Sequence, residues 1–426
     1  LMQEAFIHFV WKHQYFNKGA LTTTEGLAAN VLKPGSYNTD AGPDFKEAKV
    51  IIDGLEWRGS IEIHHRSSDW AVHGHTKDKA YNNVILHVVW LHDKAVKRSD
   101  GTEIPTLEIA NRVEPALINS YKGLMNSLWP IPCVDQLAGV EGVVFSSMID
   151  KIAVERLDEK ASLATDVFYS IANDWENTAF RLLAKNFGFK TNAEQFQRLA
   201  ELVPAKLLKK HSDNITQLEA LLFGQAGFLD SRPQDEYQAG LQAEHQFLKY
   251  KYDLPEPMSE FQWKFMRLRP ANFPTLRIAQ LAGVMQHQQG LFSRVKEIKN
   301  ENDLKALLGS HTSDYWCKHY RFGKEAKGKV SEMGLSSIQN IGINTVAPLL
   351  AAYGRLHDQQ QYMNQSIELL QSLRSESNRI TKLWHGLGIK SASSFESQGL
   401  IQLYNNYCSK KQCLRCNVGV KLLQRE

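Results

Sequence analysis

Two carboxylates near the N-terminus have the types and spacing of a metal site. Asp44 follows Pro43 in a turn before an apolar run, and Glu62 lies in the next such run, two residues before His64. Residues i and i+2 of a strand share a face, so Glu62 and His64 project together. The turn signal Asp53-Gly54 between the two runs predicts a hairpin. We therefore expect Asp44 and Glu62 to lie within a few Å of a common point.

Paired carboxylates from neighbouring strands form a hard-oxygen site that suits Mg²⁺ or Mn²⁺. Such an ion lowers the pKa of bound water and stabilises the negative charge that develops during attack on a phosphodiester. We expect Asp44 and Glu62 to bind the metal. The His64 imidazole can orient or deprotonate the water. Arg66 lies on the same face if the strand continues, and can supply a cation.

The surrounding pattern predicts the elements that position these residues. A helical start covers residues 4–15, and residues 67–83 are long enough for a crossover helix with Ser68 as its N-cap. The predicted order is α-β-β-β-α-β with a further strand, which is an α/β (α+β) arrangement with a mixed sheet. The strands are predicted at 26–32, 45–52, 55–63, 84–91 and 103–109.

This order, together with proline-aspartate followed by an acidic-x-basic strand, resembles the PD-(D/E)xK nuclease superfamily. The resemblance implies a nuclease-like domain over residues 1–135, with Asp44 and Glu62 as metal ligands. His64 stands where the family usually has lysine. The implied function is a metal-dependent nuclease or phosphodiesterase acting on nucleic acid. The alternative is a non-catalytic nucleic-acid-binding or scaffold protein that retains a degenerate nuclease fold.

Five histidines between residues 64 and 87 add a second possible set of metal ligands. On a helix, His73 and His75 would point about 200° apart around the axis, whereas on an extended loop they would share a face. We keep both histidines as candidate metal ligands. The competing interpretation is that they are polar residues of a loop near the cleft.

Cysteines form the second informative cluster. Cys408, Cys413 and Cys416 have the spacing C-x4-C-x2-C, which is compatible with an iron–sulfur cluster, or with zinc if a fourth ligand joins. Cys133 is the first candidate for that ligand and Cys317 the second. Some nucleases of the superfamily bind an iron–sulfur cluster through one distant and three C-terminal cysteines. Here the spacing differs and Cys133 follows the core, so ordinary reduced thiols remain the alternative.

Length and periodicity predict two or three domains in these 426 residues. The pattern changes near residues 130–133 and is mainly helical after residue 140, so we expect a mostly helical region over residues 136–426. The net charge of +4 permits contact with polyanions. No apolar run is long enough to span a bilayer and the N-terminus lacks the pattern of a signal peptide, which predicts a cytoplasmic protein without a membrane partner.

Over its whole length the chain also resembles an uncharacterised bacterial family that is described only as a domain of unknown function. The resemblance rests on Gly42-Pro43-Asp44-Phe45, Glu62-Ile63-His64, Ser68-Asp69-Trp70 and the final cysteine cluster. It implies membership but no activity.

Overall fold

The computed structural model describes residues 2–287, 289–309, 312–330 and 332–424. The chain forms two compact units, Leu1–Met148 with Tyr404–Glu426, and Ile149–Leu403. This division falls later than the expected boundary after residue 135. It also places the C-terminal segment in the same unit as the N-terminus. A change of periodicity along the chain cannot predict that a distant segment folds back into the first unit.

The first unit is built on a mixed sheet with the strand order β1-β3-β4-β5-β6, and β2 pairs with β3. The pairings of β3 with β1, β2 and β4 are antiparallel, whereas β4–β5 and β5–β6 are parallel. An α/β unit with a mixed sheet was predicted. Its elements are α1 (Glu4–His13), β1 (Ala29–Lys33), β2 (Ser36–Tyr37), β3 (Phe45–Ile52), β4 (Leu55–Arg66), α2 (Asp69–Val72), β5 (Val84–Leu91), β6 (Thr106–Glu108) and α3 (Pro115–Asn126).

The β3–β4 hairpin has the tight turn that its sequence predicted. Ile52 pairs with Leu55, and the two residues between them, Asp53 and Gly54, have φ of 50° and 80°. Two positive φ values give the turn a twist that matches the strands, and Asp-Gly adopts it readily. The turn sets the register from Ile52 to Ala48, and a β-bulge between Ala48 and Phe45 then shifts it by one residue, so that Phe45 lies opposite Ile61.

The connection from β4 to β5 differs from the predicted crossover helix. It contains the four residues of α2 and two 3₁₀ turns, His75–Lys77 and Lys79–Tyr81. Ser68 precedes α2 but forms no side-chain cap bond, because its hydroxyl donates to Asp93 Oδ2 at 2.8 Å. Asp93 Oδ1 also accepts hydrogen bonds from the Ser67 hydroxyl and the Ser68 amide. This carboxylate, rather than a long helix, organises the connection.

The core of the first unit forms between the sheet, α1, α3 and the C-terminal segment. It contains alternate residues of β3 and β4, such as Phe45 and Ile61, together with Trp11 of α1. Cys413 and Leu423 of the C-terminal segment belong to the same apolar cluster.

The second unit is mostly helical, as expected for this part of the chain, with one two-stranded hairpin. Among the described residues, no helix is both long and apolar enough to cross a membrane. The helices that follow α3 are α4 (Gly142–Ser170), α5 (Trp175–Phe187), α6 (Ala193–Leu202), α7 (Ala205–Lys210), α8 (Ile215–Gln225), α9 (Glu236–Tyr252), α10 (Pro274–Met285), α11 (Leu291–Glu297), α12 (Glu301–Leu308), α13 (Leu335–Ile341), α14 (Ala347–Leu356), α15 (Gln360–Ser372), α16 (Arg379–Gly386), α17 (Ser394–Gln402) and α18 (Asn417–Leu423), and the hairpin is β7 (His319–Arg321) with β8 (Lys324–Glu325). Of these, α18 and the start of α4, residues 142–148, belong to the first unit.

Candidate metal centre in the N-terminal sheet

Asp44 and Glu62 are held together by two hydrogen bonds between the start of β3 and the middle of β4. The Asp44 amide donates to Glu62 Oε2 at 3.2 Å, and the Ile63 amide donates to Asp44 Oδ2 at 2.9 Å. Glu62 thus accepts from the backbone of Asp44, and Asp44 accepts from the backbone of the residue that follows Glu62. The hairpin brings together the two residues that the sequence had paired.

Three histidines lie on one side of Glu62. Glu62 Oε1 is 3.6 Å from His64 Nε2 and 3.2 Å from His75 Nε2. His64 Nε2 is 3.0 Å from His73 Nδ1, and the ligand atoms of His64, His73 and His75 all lie within 4.8 Å of one another. Gly74, with φ of 78°, reverses the chain between His73 and His75. This turn brings the rings of His73 and His75 together, so the segment is neither the regular helix nor the extended loop that the sequence analysis considered.

A second set of ligand atoms lies beside Asp44. Glu4 and His8 are one turn apart on α1 and share a face. His8 Nε2 is 3.4 Å from Asp44 Oδ2 and 3.7 Å from Glu4 Oε1, and the ligand atoms of all three residues lie within 4.8 Å of one another. The sequence prediction missed Glu4 and His8. Their i, i+4 spacing on a predicted helix was the available signal.

Burial shifts the pKa values of the carboxyl and imidazole groups in this region toward their neutral forms. Burial, followed by the nearby Asp44 charge, raises the pKa of Glu62 to about 9. Burial and the neighbouring histidines lower the pKa of His64 to about 2 and that of His87 to about 3. Neutral imidazoles keep a lone pair for a metal, and a bound cation offsets the cost of ionising the buried carboxyl group.

His64, the residue at the lysine position of the motif, lies within the group of histidines. It is fully buried, and its Nδ1 lies 2.8 Å from Nε2 of His87, which pairs with Glu62 from β5. In the tautomer that donates from Nδ1 to His87, His64 Nε2 keeps its lone pair toward His73 and Glu62. A second histidine that orients a ligating imidazole is common at metal centres.

One buried nitrogen in each ligand set lacks a hydrogen bond. Within the described part of the chain, neither His8 Nε2 nor His75 Nε2 has a hydrogen-bond partner. A buried polar atom left unsatisfied costs about 1–3 kcal/mol, a cost that a cation or a water bound at these nitrogens would offset. The residues present fit divalent cations at both positions.

The family comparison covers most of the chain. Residues 4–379 match the model described as Protein of unknown function (DUF2851). The chain belongs to this family. The match includes both ligand sets and ends before Cys408. No curated protein and no solved structure matches the chain.

In this DUF2851 protein, Arg66 does not join the centre. β4 extends to Arg66 as expected, but the side chain is exposed at the end of the strand, and the Arg66 amide donates to Asp69 Oδ2. Among the residues that the structure describes, no ion pair or hydrogen bond connects its guanidinium to Glu62 or His64. Arg66 is the last residue of β4, and its side chain extends into solvent.

A row of basic residues crosses the sheet beside the Asp44 turn. Lys33 of β1 lies directly opposite Lys49 of β3, which lies directly opposite Arg58 of β4. We call these three residues the basic row. They line a cavity of about 670 Å³ together with Gly42, Pro43 and Lys46. Arg58 precedes Glu62 by four residues on β4, so alternation puts both side chains on one face.

The cysteines divide between the two units. Cys133 lies in the first unit with Cys408, Cys413 and Cys416, whereas Cys317, the second candidate for the fourth ligand, lies in the second unit.

Proposed function

We propose that this protein is a metal-dependent phosphodiesterase that cleaves nucleic acid and uses two divalent cations held by the N-terminal sheet. One cation would be held by His64, His73 and His75 and the other by Glu4, His8 and Asp44, and both would stabilise the negative charge that develops during attack on a phosphodiester. Glu62, whose carboxylate oxygens face His75 and Asp44, would add negative charge beside both sets.

The position of Glu62 carries this proposal. Its Oε1 faces the histidine set, with His75 Nε2 at 3.2 Å, and its Oε2 faces Asp44, accepting from the Asp44 amide at 3.2 Å. A carboxylate between two ligand sets is the arrangement of two-metal hydrolases, in which paired cations stabilise the attacking and leaving oxygens of an in-line displacement. The chain's own task is to hold these ligands in a buried setting and leave one side open. His73 is exposed, so solvent and substrate reach the centre from its side.

The donor set also favours a particular metal. Mg²⁺ prefers oxygen ligands in octahedral geometry, whereas imidazole suits transition metals. Four of the six residues in the two sets are histidines. We therefore expect Mn²⁺ to support more activity than Mg²⁺.

The basic row supports a polyanionic substrate. Like charges directly opposite each other destabilise a sheet, and here three cations occupy successive register positions. Glu47 lies 3.6 Å from Lys33 and Glu56 lies 2.8 Å from Arg58, which offsets only part of the repulsion. Consecutive phosphates of a nucleic acid strand would neutralise such a row, and interactions of this kind position a substrate without reading its sequence.

The test is a cleavage assay on labelled single- and double-stranded DNA and RNA with the metal-free chain, to which Mn²⁺ or Mg²⁺ is added. We expect Mn²⁺ to restore cleavage, a chelator to remove it, and Asp44→Asn to remain inactive in both metals. A chain that binds Mn²⁺ in this region but cleaves none of the four substrates would support the non-catalytic alternative. A chain that binds no divalent cation would reject the two-metal site.

A second prediction concerns the basic row. Changing Lys49 and Arg58 to glutamine together is expected to weaken oligonucleotide binding and to reduce the slope of log K against log salt by about one for each phosphate that the row no longer neutralises. Fluorescence anisotropy across a salt series measures both quantities. Lys97→Gln is the matched control, because Lys97 is an exposed residue of the same unit that lies outside the basic row. An unchanged slope in the double variant would show that the substrate follows another path.

A further inference from the structure

Four cysteines from two distant parts of the chain meet inside the first unit. Cys133 immediately precedes a 3₁₀ turn, Val134–Gly139. The other three lie in the C-terminal segment, where Cys408 ends a π-helical turn, Cys413 begins a 3₁₀ turn and Cys416 precedes α18. Each thiol is thus presented from a turn or a helix end, where the backbone bends around a point.

All six pairs of these sulfur atoms are within electrostatic range of each other. Cys133 interacts with Cys413 and Cys416, Cys408 interacts with the other three, and Cys413 interacts with Cys416. Cys408, Cys413 and Cys416 are buried and Cys133 is half-buried. None of the four is in a disulfide.

Close packing of the backbone maintains this grouping. A Cβ atom on Gly419 would lie 2.2 Å from the Cys413 carbonyl oxygen, so α18 reaches its position beside Cys413 only with glycine there. Cys413 is also part of the apolar core that includes α1, α3 and Leu423. The C-terminal segment is therefore packed into the core of the first unit, against which Cys133 also packs.

The spacing of the sulfur atoms bears on what they bind. The groups of possible metal ligands found among the described residues include no set of three cysteines. A single zinc ion with Zn–S bonds of about 2.3 Å would need its four sulfurs about 3.8 Å apart. In a cubane iron–sulfur cluster each of the four thiolates binds a different iron, so the four sulfurs lie further from each other than they do around one zinc ion.

We infer that Cys133, Cys408, Cys413 and Cys416 together bind a metal centre through four thiolates, and that the centre is an iron–sulfur cluster. Each thiol releases its proton to solvent on binding, and a cubane core with two Fe²⁺ and two Fe³⁺ forms from ferrous iron, ferric iron and sulfide without a further oxidant. Thiolates select soft metals, and four of them complete the ligand set of a cubane cluster. The cluster would join the C-terminal segment to residue 133, some 275 residues earlier in the chain. This site is separate from the two-metal site and stands whether or not the chain is a nuclease.

Burial makes the metal-free state of this site costly to ionise. It raises the pKa of Cys133 and of Cys413 to about 12, and neighbouring thiols raise both further, while Lys411 acts on Cys413 in the opposite direction. Because a bound metal stabilises the thiolates, its binding free energy becomes folding free energy of the unit.

The experiment uses the full chain purified without oxygen, with iron, zinc and acid-labile sulfide measured together with the visible absorption spectrum. We expect iron, sulfide and a broad visible band in the natural chain, their loss in Cys413→Ser, and their retention in Cys317→Ser. Cys317 is the matched control because it lies in the other unit. Stoichiometric zinc without iron would keep the four-thiolate site and overturn the cluster. Neither metal, with no uptake of Zn²⁺ or of ferrous and ferric iron supplied with sulfide, would overturn the site.

A second measurement covers the case in which Cys413→Ser does not fold. Alkylation of the natural chain, mapped by mass spectrometry before and after chelation, reports which thiols a metal protects. We expect chelation to expose Cys133, Cys408, Cys413 and Cys416 together and to leave the labelling of Cys317 unchanged. Equal labelling of all five before and after chelation would also overturn the proposal.

Discussion

Replacement of Glu62 with glutamine is expected to lower Mn²⁺-dependent cleavage by about a hundredfold or more. Residues that only orient metal ligands contribute about 10- to 100-fold to metal affinity or activity, and Glu62 lies between both ligand sets. Glutamine keeps the shape of the side chain but supplies no negative charge between the cations. Titration calorimetry with Mn²⁺ should accordingly show fewer bound ions or much weaker binding, alongside the loss of cleavage.

Two comparisons make this prediction specific. Glu103→Gln, at an exposed carboxylate of the same unit, should cleave as the natural chain does. Burial and the Asp44 charge raise the pKa of Glu62 to about 9, so the cation must displace a proton below that pH. Mn²⁺ binding to the natural chain should therefore tighten by up to about tenfold per pH unit from pH 6 toward 9, and Glu62→Gln should lose this dependence. Full cleavage by the glutamine variant would remove Glu62 from the mechanism.

The raised pKa of Glu62 also makes the stability of the metal-free fold depend on pH. A carboxyl group whose pKa is raised on folding stabilises the metal-free fold fully below its unfolded value, and that contribution is lost as pH rises toward about 9. Bound cations should reverse this loss. The increase in melting temperature on addition of Mn²⁺ should thus be larger at pH 8.5 than at pH 6.

Replacing Phe45 with alanine is expected to destabilise the first unit by about 3–5 kcal/mol, the usual cost of deleting a buried phenylalanine. Phe45 is fully buried, lies opposite Ile61 in the hairpin and contacts the rings of His8 and Tyr37. It also directly follows Asp44. The cavity would loosen both the core and the start of β3, where Asp44 is held.

Hydrogen exchange of the β3, β4 and β5 amides measures this change for the first unit alone. Leu55→Ala is the control, because Leu55 is in the same hairpin but 66% exposed, and its cost should stay within about 0.5 kcal/mol. A Phe45→Ala effect as small as that of the control would mean that the β3–β4 face is not the core of this unit.

Local sequence patterns were sufficient for the elements and for part of the site. The alternation of apolar residues predicted β3 and β5 with the bounds that the structure has, and Asp53-Gly54 predicted the turn between β3 and β4. Local patterns succeeded here because both the strand period and the positive φ values depend on neighbouring residues alone. The approach of Asp44 to Glu62 needs both that hairpin and a β-bulge between Phe45 and Ala48, which the strand pattern did not predict. The crossover helix failed because hydrogen bonds to Asp93, from beyond the next strand, replaced the helical ones.

The remainder of the site depends on contacts that no local pattern encodes. Glu4 and His8 face Asp44 only because α1 packs on the sheet, and His75 converges with His73 only because Gly74 reverses the chain between them. Arg66 lies at the end of β4 with an exposed side chain, so it does not contact Glu62 or His64 as the strand pattern had predicted. Sequence spacing named Cys133 as a candidate partner of the C-terminal cysteines, but only the return of that segment to the first unit brings the four sulfurs together. The sequence by itself determined which residues can bind metals, since that is a property of side-chain chemistry. Tertiary packing decided which of them share a site, because the distances between remote residues are set by the folded core.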